Sequence, residues 1–493
     1  MCKKTRLVSL FLALTLSLAA CGSNGSGNGD STGTSAESSD QTETEETKID
    51  HLTEIPAVDF GGGAIRMIVQ SASDRPYLQS EEETGEIIND AMIARDRKVS
   101  EMFNCSVEYT DYTDRGLLYQ DLTKLVTAGE DAYDIVITTL VNRGVGELSA
   151  AGMLYDLGSL DALTLDADWW CRSMTDTMTF GNKIYALSGP MSLCYCYSPY
   201  ALFANLSMAE DFKLGGFYDL VSSGKWTIDV MSEMMKNVYS DLNSNGAVDP
   251  DDRFPLTVTD ESGNAFYIGC GQRMSEKTPT SVSLIIDSNK SIDLLDKLNS
   301  IMKTDEVMKT DSLGKNFPAF SSDHKTQMFI NSQALFCAAP MQWGVLNFRD
   351  MKDDYAILPY PKADEEQDDY YSHVNSYFPV GIAIPATCPR ADEIASVMEA
   401  MAYISNGEIL PKINEVVLKE KIARDEHSKA MLDIIYSNMT VDFNCVFNLA
   451  STSSMVRLYA IGSTENFSSN YASVKTRAET ELAELFDKLM GEN

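Results

Sequence analysis

The chain is short of basic charge, of histidine and of the spaced motifs that mark enzymes. Its 493 residues hold 39 Lys and Arg against 73 Asp and Glu, a formal net charge of −34. A field of that sign repels nucleic acid and anionic lipid headgroups, and it suits a soluble surface protein whose ligand is neutral or cationic. Only four histidines occur, His51, His324, His373 and His427, each isolated among polar residues. There is no HExxH, GxSxG, GxxxxGK[ST] or GxGxxG, which speaks against zinc peptidase, serine hydrolase, P-loop and dinucleotide chemistry. Beyond residue 21 no uninterrupted apolar run is long enough to span a membrane. Besides Cys2 and Cys21, the cysteines (Cys105, Cys171, Cys194, Cys196, Cys270, Cys337, Cys388, Cys445) are scattered, mostly in apolar runs such as "ALFCAAP". They read as buried free thiols and not as a disulfide framework. Cys194 and Cys196, two apart on an expected strand, do not read as a metal pair.

What is present begins with an export signal. Lys3, Lys4 and Arg6 precede an apolar run from Leu7 to Leu18, and Leu18-Ala19-Ala20-Cys21 has the form of a bacterial lipobox. Residues 1–20 are therefore expected to be a lipoprotein signal peptide and Cys21 the lipidated first residue of the mature chain. Residues 21–49, rich in Gly, Ser, Thr and acidic side chains, cannot bury a core and are expected to form a flexible linker. The remaining body of about 445 residues is too long for one ordinary core and predicts two lobes.

Along the body, "AIRMIVQ", "CSVEYT" and "YDIVITTL" have strand character, and between them lie helical patterns at "IINDAMIARDRKVSEMF" and "GLLYQDLTKLVTAG". Strand alternating with helix predicts an α/β parallel sheet covered by helices. From about Tyr185, "KIYALSGP" and "YALFANL" predict further strands. A helix follows in "KWTIDVMSEMMKNVYS", capped by Thr227, with Val230, Met234 and Val238 on one face. "QALFCAAPMQWGVL", "DYAILPYP" and "YFPVGIAIPA" restore strands before a helical tail, so the chain is expected to cross between lobes more than once.

Several of these stretches, in this order, resemble the carbohydrate-binding (family 1) extracellular solute-binding proteins of bacterial ABC importers. They are "GEIINDAMIARDRKVSEMFNCSVEY", "DWW", "KWT" before an acidic Asn/Gly loop, "YAILPYPKADEEQDDYY" and "LKEKIARDEHSKAMLDII", spanning about 60 to 450. The resemblance implies a two-lobed periplasmic-binding-protein-like α/β fold with crossing hinge segments and a ligand cleft between the lobes. Lobe 1 would take 50–165 and 350–400, and lobe 2 would take 166–349 and 401–493. It implies a monomer without catalysis, held to the outer face of the cell membrane by its lipid alone, that passes a carbohydrate, expected to be an oligosaccharide, to ABC permease subunits.

Sugar sites combine flat apolar faces with planar polar groups. The implied architecture places ligand contacts at sheet ends facing the cleft, so the first-lobe candidates are the loop Ser71 to Arg75, Thr138, Thr139, Asn142 and Arg143, with Glu86 or Asp90 for the acidic contact that some sugar binders of this family use. From the second lobe come Trp343 in "AAPMQWG", the best aromatic platform, with Tyr267, Asp442 and Asn444. Trp169 and Trp170 point opposite ways on an extended chain, so one is structural. Of Tyr195, Tyr197 and Tyr200, one is expected to reach solute; Tyr197 is the choice.

The loop "DLNSNGAVDPDD" matches a twelve-residue calcium pattern, with Asp241, Asn243, Asn245, the Ala247 carbonyl, Asp249 and Asp252 as ligands and Gly246 at the turn. Pro255 stands where an exiting helix would start, so a structural calcium staple is expected and not a signalling hand. A polar Asn/Asp/Gly turn is the alternative. An extracellular glycoside hydrolase, needing two carboxylates across the scissile bond, and a calcium-stapled glycan-binding adhesin are the alternatives at the level of function.

Overall fold

Two sheets carry the architecture of the computed structural model, which describes residues 50–71, 82–312, 324–348, 351–420 and 426–491. The expected signal peptide, Cys21, the 21–49 linker and residues 72–75 of the first-lobe loop lie outside the described residues. Within the unit Asp50–Asn493, the first sheet has the order Gly381–Ala383, Ile135–Thr138, Gly63–Gln70, Cys105–Tyr112. The last three strands are parallel, with Gly63 opposite Cys105 and Met67 opposite Ile135, and Gly381–Ala383 joins antiparallel. Parallel neighbours need crossovers, and the helices Ile87–Phe103 and Arg115–Thr127 supply them where the sequence pattern places them. Ile88, Ala91, Met92, Arg95, Val99 and Phe103 form the buried stripe of the first helix. The central strand Ile135–Thr138 is buried throughout because both faces of the sheet are covered.

The second sheet has the order Val307–Lys309, Phe254–Val258, Ala334–Pro340, Tyr200–Asn205, Tyr355–Leu358. The first three run parallel; Tyr200–Asn205 is antiparallel to both of its neighbours. This corrects one expectation: Tyr355–Leu358, placed with the first lobe, pairs with Tyr200–Asn205, Tyr355 standing opposite Asn205. The chain rejoins the first sheet only at Gly381. Pro255 sits inside a strand, and no helix leaves the acidic loop.

Two local readings also change. Cys194 and Cys196 lie in the short helix Leu193–Tyr197, not on a strand. The helix capped by Thr227 stops at Met235 because Lys236 is extended, so its buried stripe is Ile228, Met231 and Met235. Among the described residues no helix is long and apolar enough to cross a membrane.

Three stretches join the two bodies side by side. Leu187 and Ile382 exchange backbone hydrogen bonds of 2.9 and 2.8 Å. Ser372–His373 pairs parallel with Met439–Thr440, and Asn375 N donates to Ser198 O at 3.1 Å. The second core centres on Trp226, wholly buried against Phe217 and Phe336, with its Nε1 donating to Pro359 O at 3.0 Å. Trp226→Ala is expected to lower stability by about 3–5 kcal/mol, read from urea unfolding with an unchanged m-value.

Candidate functional site

Ligands of open α/β sheets collect at the carboxyl ends of parallel strands. In the second sheet those ends converge: Phe254–Val258 runs into Thr259, Asp260 and Glu261, Val307–Lys309 into Asp311, and Ala334–Pro340 into Gln342 and Trp343. Together with Asn375, Tyr377 and Phe378 of a crossing stretch, and with Arg457, they line a crevice of about 440 Å3. Trp343 opens a π-helical turn, Trp343–Asn347, a backbone irregularity that re-aims side chains and recurs at functional sites. Its ring stays partly exposed, edge-on to Phe348 at 6.3 Å.

The crevice is organised around one carboxylate. Glu261 Oε1 lies 2.8 Å from His373 Nε2, and Arg457 NH1 donates to Glu261 Oε2 at 3.1 Å. Burial opposes the charged form of Glu261. Hydrogen bonding from His373 and the pull of His373 and Arg457 outweigh burial and hold its pKa below the usual carboxylate value. The same Arg457 NH1 donates to Tyr377 OH at 3.1 Å. Tyr377 is flanked by two guanidiniums, Arg457 at 5.8 Å and Arg115, from the second crossover helix of the first sheet, at 5.7 Å. Asp260 N donates to Asp311 Oδ2 at 2.6 Å, and Tyr200 OH and Thr259 Oγ1 are 3.0 Å apart.

The first-sheet candidates stand at the end of Ile135–Thr138. Thr138 and Thr139 are buried and spent on local bonds: Thr138 Oγ1 and Thr139 N both donate to Gln70 Oε1, and Thr139 Oγ1 donates to Val141 O. Asn142 and Arg143 are exposed, with φ of 56° and 67°, a left-handed pair unusual for an arginine. Gly144 closes the turn because a Cβ there would meet Thr139 O at 2.0 Å. Leu140 N donates to Ser376 O at 3.0 Å, which sets this turn beside Tyr377. Glu86 caps its helix through Asn89 N, and Asp90 accepts from Thr84 N and Gly85 N.

Other candidates lie away from the crevice. Tyr197, Tyr267 and Asn444 are core residues; Tyr267 OH is 2.7 Å from Ser291 Oγ, and Asn444 Nδ2 donates to Thr452 Oγ1 at 2.8 Å. Asp442 is a helix cap, accepting from Asn444 N, Met274 N and Ser275. Trp169 packs on His51 and Tyr403, ring centroids 4.6 and 5.2 Å away, and Trp170 Nε1 donates to buried Glu399. Of the three tyrosines, Tyr200 lines the crevice. Asp260, Glu261, Asp311, Gln342, Tyr377 and Arg457 escaped sequence reading. For Asp260, Glu261, Asp311 and Gln342 the one available signal was their position just after the strands ending at Val258, Lys309 and Pro340; Tyr377 and Arg457, on a crossing stretch and a late helix, carried none.

In the acidic loop the five side chains meet, though as hydrogen-bond partners. Asp249 accepts from Asn245 Nδ2 at 2.6 Å and from Asn243 Nδ2 at 3.2 Å; Gly246 N donates to Asp241 Oδ2 at 2.8 Å, and Asp249 N to Asp252 Oδ2 at 3.1 Å. Among the described residues no three acidic, His or Cys side chains converge as a metal-ligand cluster.

No family model and no curated protein sequence matches the chain. Solved structures do. CpMnBP1 with mannotriose bound is 13% identical, with a TM-score of 0.53 over 86% of this chain and 99% of that one. Maltose-bound MalE3 of T. maritima is 12% identical, at 0.51 over 88% and 100%. The galacto-N-biose/lacto-N-biose I-binding protein of the ABC transporter from Bifidobacterium longum, in complex with lacto-N-biose, is 12% identical, at 0.51 over 87% and 96%. The chain shares their two-lobed α/β fold.

Because the folded pKa of Glu261 lies below its ordinary 4.5, its charge stabilises fully above that pH, and the contribution is lost as pH falls through the lower folded value. Glu261→Gln is expected to flatten this acid-side loss in urea unfolding followed from about pH 7 to pH 3. At neutral pH it is expected to cost about 3–5 kcal/mol by leaving Arg457 without its counter-charge.

Proposed function

We propose that this chain, built on the fold of solute-binding proteins, captures a carbohydrate in the Trp343 crevice and delivers it to an ABC permease, performing no chemistry itself. The carrying observation is the crevice: one accessible indole and a tyrosine ring for sugar C–H faces, beside carboxylates, an amide and a guanidinium for hydroxyls. Solved proteins of this fold hold mannotriose, maltose and lacto-N-biose. The lipobox at Cys21 supports anchoring to the outer face of the membrane. A ligand that binds only the folded state raises the unfolding midpoint by mass action. Mono- and oligosaccharides are to be titrated against thermal unfolding; one class should raise Tm and be recovered unconsumed, with at least tenfold weaker binding in Trp343→Ala, about 1.4 kcal/mol or more. Turnover of the sugar, or the absence of any sugar whose binding Trp343→Ala weakens, would sink the reading.

We further propose a structural calcium ion in the Asp241–Asp252 loop. Its support is the spacing and the meeting of Asp241, Asn243, Asn245, Asp249 and Asp252 within hydrogen-bonding distance of one another or of the loop backbone. Turning the Asn243 and Asn245 amides would exchange their nitrogens for oxygens facing Asp249, the donor set that calcium takes. Excess calcium against a chelator should raise Tm, and Asp241→Ala should abolish the difference; a Tm indifferent to calcium overturns it.

A further inference from the structure

A second and larger cavity, about 920 Å3, lies beside the same crossing stretches, outside the Trp343 crevice. Both bodies wall it. Trp170, Cys171 and Ser173 with Asn406, Leu410 and Asn414, expected in lobe 2 but with Trp170, Cys171 and Leu410 packed into the core of the first sheet, form one wall; Arg273, Ser275 and Lys277 of the second body form the other. Tyr371 and Met439–Val441 of the crossing strands complete it, so one crossing stretch presents Tyr371 here and Tyr377 to the crevice.

Its chemistry is that of a ligand site and not of a gap in packing. Asn406 is carried on a second π-helical turn, Ser405–Ile409, inserted between the helices Ala391–Ile404 and Leu410–Glu420. Asn414, one turn further along the helix Leu410–Glu420, lines the cavity and has its Oδ1 buried without a hydrogen-bond partner. Tyr371 presents a ring already stacked by the Arg273 guanidinium at 4.5 Å.

The charges exclude a strongly ionic ligand. Arg172, Arg273 and Lys277 stand against Asp166, Asp168, Asp176, Asp433 and Asp442, a mixed set with a modest acidic excess. Lys277 is also committed: its Nζ donates to Asp176 O at 2.8 Å and sits 4.7 Å over the Phe180 ring, with burial lowering its pKa to about 8. Asp442 has its oxygens filled by Met274 N, Ser275 and Asn444 N. What remains to select a ligand is the set of amides of Asn406, Asn414 and Asn438 and the Asp433 carboxylate, beside the Tyr371 ring. Amides around an aromatic face, in a volume within the range of small-molecule pockets, suit a neutral polyhydroxylated molecule.

We infer that this cavity is a second binding site, for a neutral saccharide, independent of the Trp343 crevice. The test is calorimetric titration of maltose, mannotriose and lacto-N-biose at millimolar concentration into the wild-type protein, Trp343→Ala, Asn414→Leu and Tyr371→Ala. Thermal unfolding of each variant, without sugar, identifies any that has merely lost its fold, and Asn414→Leu, close in volume, keeps the test open if Tyr371→Ala fails. At least one sugar should bind Trp343→Ala as it binds the wild type and bind Asn414→Leu or Tyr371→Ala roughly tenfold more weakly or worse. The inference is overturned if none of the three binds Trp343→Ala, or if every sugar that does so binds Asn414→Leu and Tyr371→Ala as it binds the wild type. A sugar that Trp343→Ala abolishes and the cavity variants leave untouched upholds the crevice while removing this site.

Discussion

The two-sided crevice depends on one buried carboxylate. Glu261 follows a strand of the second sheet; the groups it holds are His373, on a crossing strand, and Arg457, on a helix nearly two hundred residues later. Burial alone would push that carboxyl toward its neutral form, and its partners reverse the sign. Once Arg457 is held, its guanidinium reaches Tyr377, and Arg115 from the first body lies 5.7 Å from the centre of the same ring. A single charge compensation thus fixes the relative placement of three distant segments and brings a side chain of the other body into the same contact chain.

Much of the fold was legible in the sequence because hydrophobic period translates directly into burial. The helix Ile87–Phe103 and the strands at Gly63–Gln70, Cys105–Tyr112 and Ala334–Pro340 fall where the patterns place them. What failed was pairing. "DYAILPYP" shows its strand character, but nothing local says that Tyr355 stands opposite Asn205 and not in the other sheet. Likewise "LCYCY" is apolar enough for a buried strand or a buried helix, and five residues carry no period to decide.

The site was read less well for a physical reason. Aromatic residues draw attention in a sequence, yet burial is what most of them do, and Tyr197, Tyr267, Trp169 and Trp170 all prove to be packing or hydrogen-bonding groups of the frame. Trp343, at the start of a π-helical turn, keeps partial access to solvent. The polar lining residues Asp260, Glu261, Asp311 and Arg457 have no motif, since their proximity is created by strand order. They are individually ordinary and jointly specific.

The eight cysteines of the described residues are all free, and seven are buried. Burial raises the thiols of Cys171 and Cys388 to about 11, so little thiolate exists to react. A body of this size held without covalent cross-links acquires its native state without thiol oxidation or reshuffling, steps that run from seconds to hours. Folding of the described body therefore rests on collapse and strand pairing without a cross-linking step, and its shape does not hinge on whether its surroundings oxidise or reduce.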